Sequence, residues 1–233
     1  MAKNTKNKTT EGKETVEFFQ DLDKEALNTE RFLERNSKPI AIVFGALILG
    51  VIAYFAYGQF IVKPKNEEAM KGFFAAQKNL GEGKDVEALG GKSAANPGFL
   101  GTYNEFSGTS VGKLSAFNAG LLKFKEGKFQ ESYDLLDQFS SKSGVLMAQK
   151  YGAMADCMVN LNKPEDASSL LDKATSASDD PYTAYYFTKK AGTLAIALNK
   201  KEEAKKYFST IEEKYQDYDN GMSDSYIEMV KYY

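Results

Sequence analysis

Hydrophobic positions fall into three regimes along the chain. From Ile40 to Val62 they are almost continuous: thirteen of these positions are Ile, Val, Leu or Phe, none is charged, and Gln59 is the one strongly polar residue. At about 1.5 Å rise per residue this run covers a hydrocarbon core of about 30 Å. On an insertion scale its large apolar side chains sum to about −4 to −8 kcal/mol. Pro39 fits a first helical turn, where its missing N–H is no loss. Tyr54, Tyr57 and Phe60 cluster at the far end as an interfacial belt would, and Pro64 is expected to break or bend the chain. A core helix apolar on every face needs a larger protein around it. A cleaved signal peptide would be shorter, nearer the N-terminus and followed by an A-x-A site. The pattern therefore predicts a permanent transmembrane helix over 39–62.

Before the span, residues 1–38 change character. "MAKNTKNKTTEGKET" is polar and lysine-rich and is predicted to lack fixed structure. In "VEFFQDLDKEALNTERFLERN", Phe18, Phe19, Leu22, Ala26, Leu27, Phe32 and Leu33 recur at loosely helical spacing. That predicts a short amphipathic helix lying on the membrane surface, with a docking helix for a partner as the sharper alternative. Lys24, Arg31, Arg35 and Lys38 on one side and Lys63, Lys65 and Lys71 on the other give too little bias to orient the protein. A short N-terminal tail inside and a larger domain outside is the ordinary arrangement, with a cytoplasmic tail as the alternative.

After the span, no stretch alternates with the period of a strand. Residues 63–233 read as helix, short turn, helix. "SAFNAGLLKFKEGKFQESYDLLDQF", "KYGAMADCMVNLNKPEDASSLLDKA" and "YFTKKAGTLAIALNKKEEAKKYFSTI" align. Each has small residues within its first helix (Ala119-Gly120, Ala155, Gly192) and a turn of Gly or Asn with Lys (Gly127-Lys128, Asn162-Lys163, Asn199-Lys200). Each second helix then carries a small residue (Ser132, Ala167, Ala204) and, four positions on, a large one (Leu136, Leu171, Phe208). The spacing of about 35 residues is close to the helical hairpin of the tetratricopeptide repeat. Small residues mark where two helices cross closely, and the large one fills the space beside them. The expected fold is all-α: one N-terminal transmembrane helix followed by a TPR-like helical-repeat (α-solenoid) domain. Its repeats are expected at about 113–146, 148–181 and 185–218. Upstream, "NEEAMKGFFAAQKNL" predicts a helix with Ala69, Phe73, Phe74, Ala76 and Leu80 inward. "KDVEALGG" predicts a short helix or turn, and "NPGFLGTYNEF" a helix beginning after Pro97-Gly98. A capping helix is expected over 222–233.

Composition removes several chemistries. The chain has no histidine, one cysteine and a net charge of −2. Nucleophile systems that need an imidazole base and zinc sites built from Cys and His are excluded, and no bulk charge favours nucleic acid. Cys157, among Met154, Ala155 and Met158, reads as a core residue. In "GEGKDVEALGGKS" a phosphate loop ending at Gly91-Lys92-Ser93 would need glycine where Val86 stands. In "DYDNGMSDSYIE" Asp217, Asp219 and Glu228 suit a calcium loop, but Met222 occupies its glycine position, so a turn between helices explains the cluster. Asp179-Asp180, Glu202-Glu203 and Glu212-Glu213 are sequence neighbours that cannot face one another on a helix.

The segment "AANPGFLGTYNEFSGTSVGKLSAFNAGLLKFKEGKFQESYDLLDQF", behind a charged tail and one span, resembles the YfgM-like tetratricopeptide proteins of bacterial inner membranes. Pro97-Gly98-Phe99, Gly108-Thr109, Gly120 and Gly127-Lys128-Phe129 carry the resemblance. It departs in a longer N-terminal arm and in Ser132, where most repeats have alanine. The resemblance implies a tail in the periplasm and protein partners: the SecYEG translocon, a PpiD-like folding factor, or emerging polypeptides. It implies no catalytic residue, no cofactor and no enzyme activity. The alternatives are a scaffold or assembly factor for another envelope complex, and a carboxylate hydrolase centred on Asp156. In the repeat register the groove-facing positions of the first helices include Phe117, Leu121, Phe124, Asp156, Lys189 and Thr193. Tyr182, Tyr185, Tyr186, Tyr207, Tyr215, Tyr218 and Tyr226 make the tail rich in a residue favoured both at interfaces and in packing.

Overall fold

Without β-branched alternation or strand-bounding turns, the tail has only helices available to it, and the structure bears this out. The computed structural model describes residues 35–233, and every regular element among them is helical. The polar N-terminal stretch and the amphipathic segment carrying Phe18 to Leu33 lie outside the described residues. Two compact units divide between Ile61 and Val62.

In the first unit, helix α1 covers Ser37–Tyr57 and none of its residues is buried. It belongs to the one helix, among the described residues, that is long and apolar enough to cross a membrane, with a mean hydropathy of 2.4 over its most apolar window. From Gly58 to Val62 the hydrogen-bond ladder widens to a π-helical turn that includes Gln59. Of the break or bend expected at Pro64, the break does not occur. Pro64 sits in the first turn of the following helix, where no N–H is required, and the Asn66 side-chain amide donates to the Val62 carbonyl at 3.1 Å.

The second unit contains α2 (Lys63–Gly81), α3 (Asp85–Gly90), α4 (Gly98–Phe106), α5 (Ser110–Lys125), α6 (Phe129–Asp137), α7 (Gly144–Asn160), α8 (Pro164–Ser176), α9 (Pro181–Ala197), α10 (Lys201–Lys214), α11 (Gln216–Asp219) and α12 (Asp224–Lys231). Helices α5, α7 and α9 open where a side chain accepts a backbone N–H. Thr109 takes Gly112 at 2.9 Å, Ser143 takes Leu146 at 3.4 Å, and Asp180 takes Thr183 at 2.8 Å. These caps start the helices three or four residues ahead of the expected repeat bounds.

One turn recurs four times. Gly83, Gly127, Asn162 and Asn199 all adopt positive φ, and each is followed by a lysine. The four lysine N–H groups each donate five residues back: Lys84 to Asn79, Lys128 to Lys123, Lys163 to Met158 and Lys200 to Ala195, at 2.8–2.9 Å. This is the 6→1 closure of a helix C-terminus, and the left-handed residue favours Gly or Asn. The short turn folds α2 onto α3, α5 onto α6, α7 onto α8 and α9 onto α10.

The small residues sit at close crossings. A Cβ on Gly120 would lie 2.8 Å from the Leu136 side chain, and one on Gly192 would lie 2.8 Å from the Phe208 ring. Ser132 replaces alanine usefully: its hydroxyl donates to the Gly120 carbonyl at 2.7 Å and accepts from the Cys157 thiol at 3.2 Å. Burial pushes that thiol up, against the Ser132 hydrogen bond. Phe73, Ala88, Leu89, Phe99, Ala119 and Leu122 form a smaller core cluster, and a larger one extends from Phe117 to Val230. Phe74, expected inward, is instead 56 % exposed. Phe73 takes the core position, and one residue's step turns Phe74 about 100° away from it.

Candidate functional site

Helices α7 and α9 lie beside each other, and their facing sides form a groove of about 540 Å³. Helix α7 presents Gln149, Gly152, Ala153 and Asp156 at intervals that keep one face. Helix α9 presents Tyr182, Thr183, Tyr186, Phe187 and Lys190 in the same way. Gly152 sets the approach of the two helices. A Cβ there would fall 2.1 Å from Cε1 of Phe187, so no larger residue fits the contact. Phe187 is buried by that contact and holds Tyr186 edge-on at a centroid distance of 5.0 Å. Tyr182 and Tyr186 stay 60 % and 51 % exposed, which leaves their rings available to a partner. Asp156 and Lys190 form an ion pair at 2.6 Å across the groove.

Of the six residues read from the repeat register, Asp156 lines this groove. Thr193 lies one turn beyond Lys190 and donates its hydroxyl to the Lys190 carbonyl at 2.8 Å. Lys189 turns away: its ammonium lies 3.3 Å from the Tyr185 hydroxyl and 3.6 Å from Asp219. Phe117 is buried against Phe139 at a centroid distance of 4.9 Å and belongs to the core. Phe124 packs on Phe129 at 5.2 Å, and Leu121 is exposed. The six therefore do not converge on one surface. Gln149 and Lys190 line the groove outside that register, and Tyr182 and Tyr186 belong to the tyrosines that the sequence marks as favoured at interfaces. Lys190 is the neighbour of Lys189, one helical step of about 100° away.

The acidic segment near the C-terminus is a packing device. Asp219 is buried and accepts hydrogen bonds from the Tyr185 hydroxyl at 2.7 Å, the Ser223 N–H at 2.8 Å and the Ser223 hydroxyl at 2.6 Å. Burial alone would raise its carboxyl; the Ser223 and Tyr185 hydrogen bonds and the Lys189 charge outweigh it and hold the group low. Tyr185 is pushed up to about 12 by burial and by its bond to Asp219. Asn220 takes the left-handed conformation, φ 47°, which completes the turn expected from the sequence. Lys92, of the phosphate-loop-like segment, is engaged with Glu87 at 2.5 Å. Among the described residues no group of three or more Cys, Asp or Glu side chains is placed to hold a metal. The groove itself offers aromatic faces, amide and hydroxyl groups and a neutralised ion pair, an arrangement suited to holding a chain segment.

Comparison with protein-family models, curated proteins and solved structures returns no match for this chain.

Proposed function

We propose that the protein is a membrane-anchored protein-interaction module. One span tethers it, and its tail acts as a TPR-like stack of helical hairpins that receives an extended segment of a partner in the groove between α7 and α9. The observation that carries this reading is the groove itself, with two exposed tyrosines held beside a glycine-spaced helix contact. Tyrosine offers a large, rigid contact area with a polar tip, which is why it is enriched at interfaces. The repeated left-handed turn and the small residues at the crossings support the hairpin-stack part of the reading.

The resemblance to the YfgM-like proteins narrows the reading. It puts the protein in a bacterial inner membrane with the tail on the periplasmic side, as an accessory factor of the Sec translocon that links it to periplasmic chaperones. Photo-crosslinking from positions 182 and 186 of the full-length protein in native membranes, read by mass spectrometry, tests this. The expected products are translocon subunits, a folding factor or nascent chains. Crosslinks to subunits of another envelope complex would replace the secretory assignment with an assembly scaffold. Yields no higher than from position 232, an exposed tyrosine outside the groove, would overturn the interaction site.

A further inference from the structure

A second cavity, of about 510 Å³, lies where the start of α5 meets the link between α6 and α7. Its floor is apolar: Phe139 is buried, and Leu114 and Leu146 pack against the same core cluster. Its polar lining carries charge of one sign. Lys113 and Lys142 are the charged residues there, accompanied by serine hydroxyls, and no carboxylate lines the space. Lys113 reaches Ser140 Oγ at 3.2 Å, and neither lysine is in an ion pair with a carboxylate among the described residues. Other lysines differ. Lys150 is taken up by the Asp137 and Phe139 carbonyls at 2.9 and 2.8 Å, and Lys190 by Asp156. One leading N–H of each of α5 and α7 is already taken, that of Gly112 by the Thr109 hydroxyl and that of Leu146 by the Ser143 hydroxyl. The helix starts add partial charge of the same sign.

We infer that this cavity binds an acidic segment of a protein partner, with a carboxylate between Lys113 and Lys142 and a neighbouring apolar side chain on Phe139, Leu114 and Leu146. The inference rests on the reading of the tail as a protein-interaction module. A bare inorganic anion would satisfy the lysines and leave the apolar floor unused; a peptide alternating acidic and apolar residues covers both.

The test is fluorescence anisotropy with the full-length protein in detergent. The probes are a labelled Glu-Leu-Glu-Phe-Glu-Leu peptide and its Gln-for-Glu counterpart. The acidic peptide is expected to bind about tenfold or more tightly than the neutral one, and to weaken as salt rises. Lys113→Glu with Lys142→Glu should remove that preference, and the double Arg variant should keep it. Should the double reversal lower the melting temperature, Lys142→Glu alone serves, because Lys142 is exposed and in no ion pair among the described residues. Equal binding of the two peptides, no binding of either, or indifference to charge reversal overturns the inference. Displacement by inorganic phosphate beyond that by chloride at matched ionic strength overturns it in favour of a small anion. Loss of crosslinking from position 186 would strike the groove reading separately, since these lysines lie outside that groove.

Discussion

Two kinds of close helix contact can be compared in this protein. Within a hairpin, Gly120 meets Leu136 and Gly192 meets Phe208, each with room for a Cβ only if a side-chain end shifts from 2.8 Å. Between hairpins, Gly152 on α7 meets Phe187 on α9, and a Cβ there would be 2.1 Å from one ring atom and 2.8 Å from the next. The within-hairpin contact occurs in two turn-linked helix pairs, α5 with α6 and α9 with α10. The between-hairpin contact does not recur: Phe117 and Lys189 stand at the positions equivalent to Gly152, one packed on Phe139 and the other turned to Asp219. The turn-linked pairing is thus a shared rule, whereas the spacing of neighbouring hairpins is settled locally, one contact at a time.

If that comparison holds, Gly152→Val should be the most damaging of the simple substitutions. Three atoms of the buried Phe187 ring would lie within 3.1 Å of the new Cβ, the nearest at 2.1 Å, so a loss of about 3 kcal/mol is expected in chemical denaturation. A change as small as that at Gly192 would break the comparison. Lys150→Met should come next. It leaves the Asp137 and Phe139 carbonyls without their donor at the end of α6, for about 2 kcal/mol. Gly192→Ala should be milder, about 1 kcal/mol in the same assay, because its Cβ would meet the Phe208 ring at 2.8 Å rather than 2.1 Å and alanine gains helix propensity. A loss larger than that of Gly152→Val would reverse the ranking.

The smallest effect is expected from acid. The Asp219 carboxyl sits below its ordinary 3.8 in the folded protein. A carboxyl held low stabilises the fold above its unfolded value, and that contribution is lost as the pH falls through the folded one. The melting temperature should therefore drop below about pH 4. Asp219→Asn should flatten that part of the profile while lowering the neutral melting temperature. An unchanged acid slope in the variant would assign the loss to other carboxylates.

What the sequence made legible follows the same division. The apolar run from Ile40, the paired helices at 110–214 and the Ala, Gly and Ser positions at their crossings all rest on local spacing, and each is found in the structure. The sequence does not mark the helix pair at Gly83-Lys84 as sharing the turn of the others, although the structure gives it the same closure. Helix α3 is six residues long and too short to carry the small-then-large signature. Phe74 misled because two adjacent phenylalanines cannot both face one core. The groove was the least legible part. Columns of the sequence alignment do not point to its residues, because Lys189 and Phe117 are taken up in packing and the side chains that line it are set by how α7 meets α9. The tyrosines were visible as a class; which of them would be buried with an acid partner, as Tyr185 and Tyr207 are, depends on Asp219 and Asp172 arriving from distant helices.

Cys157 has one further consequence. It is fully buried, and its thiol is engaged with Ser132 across the α6–α7 contact. A thiolate-seeking reagent can reach it only when those helices part. The chain's single sulfhydryl is thus a built-in clock, and the rate at which such a reagent consumes it would count these openings without any label being introduced.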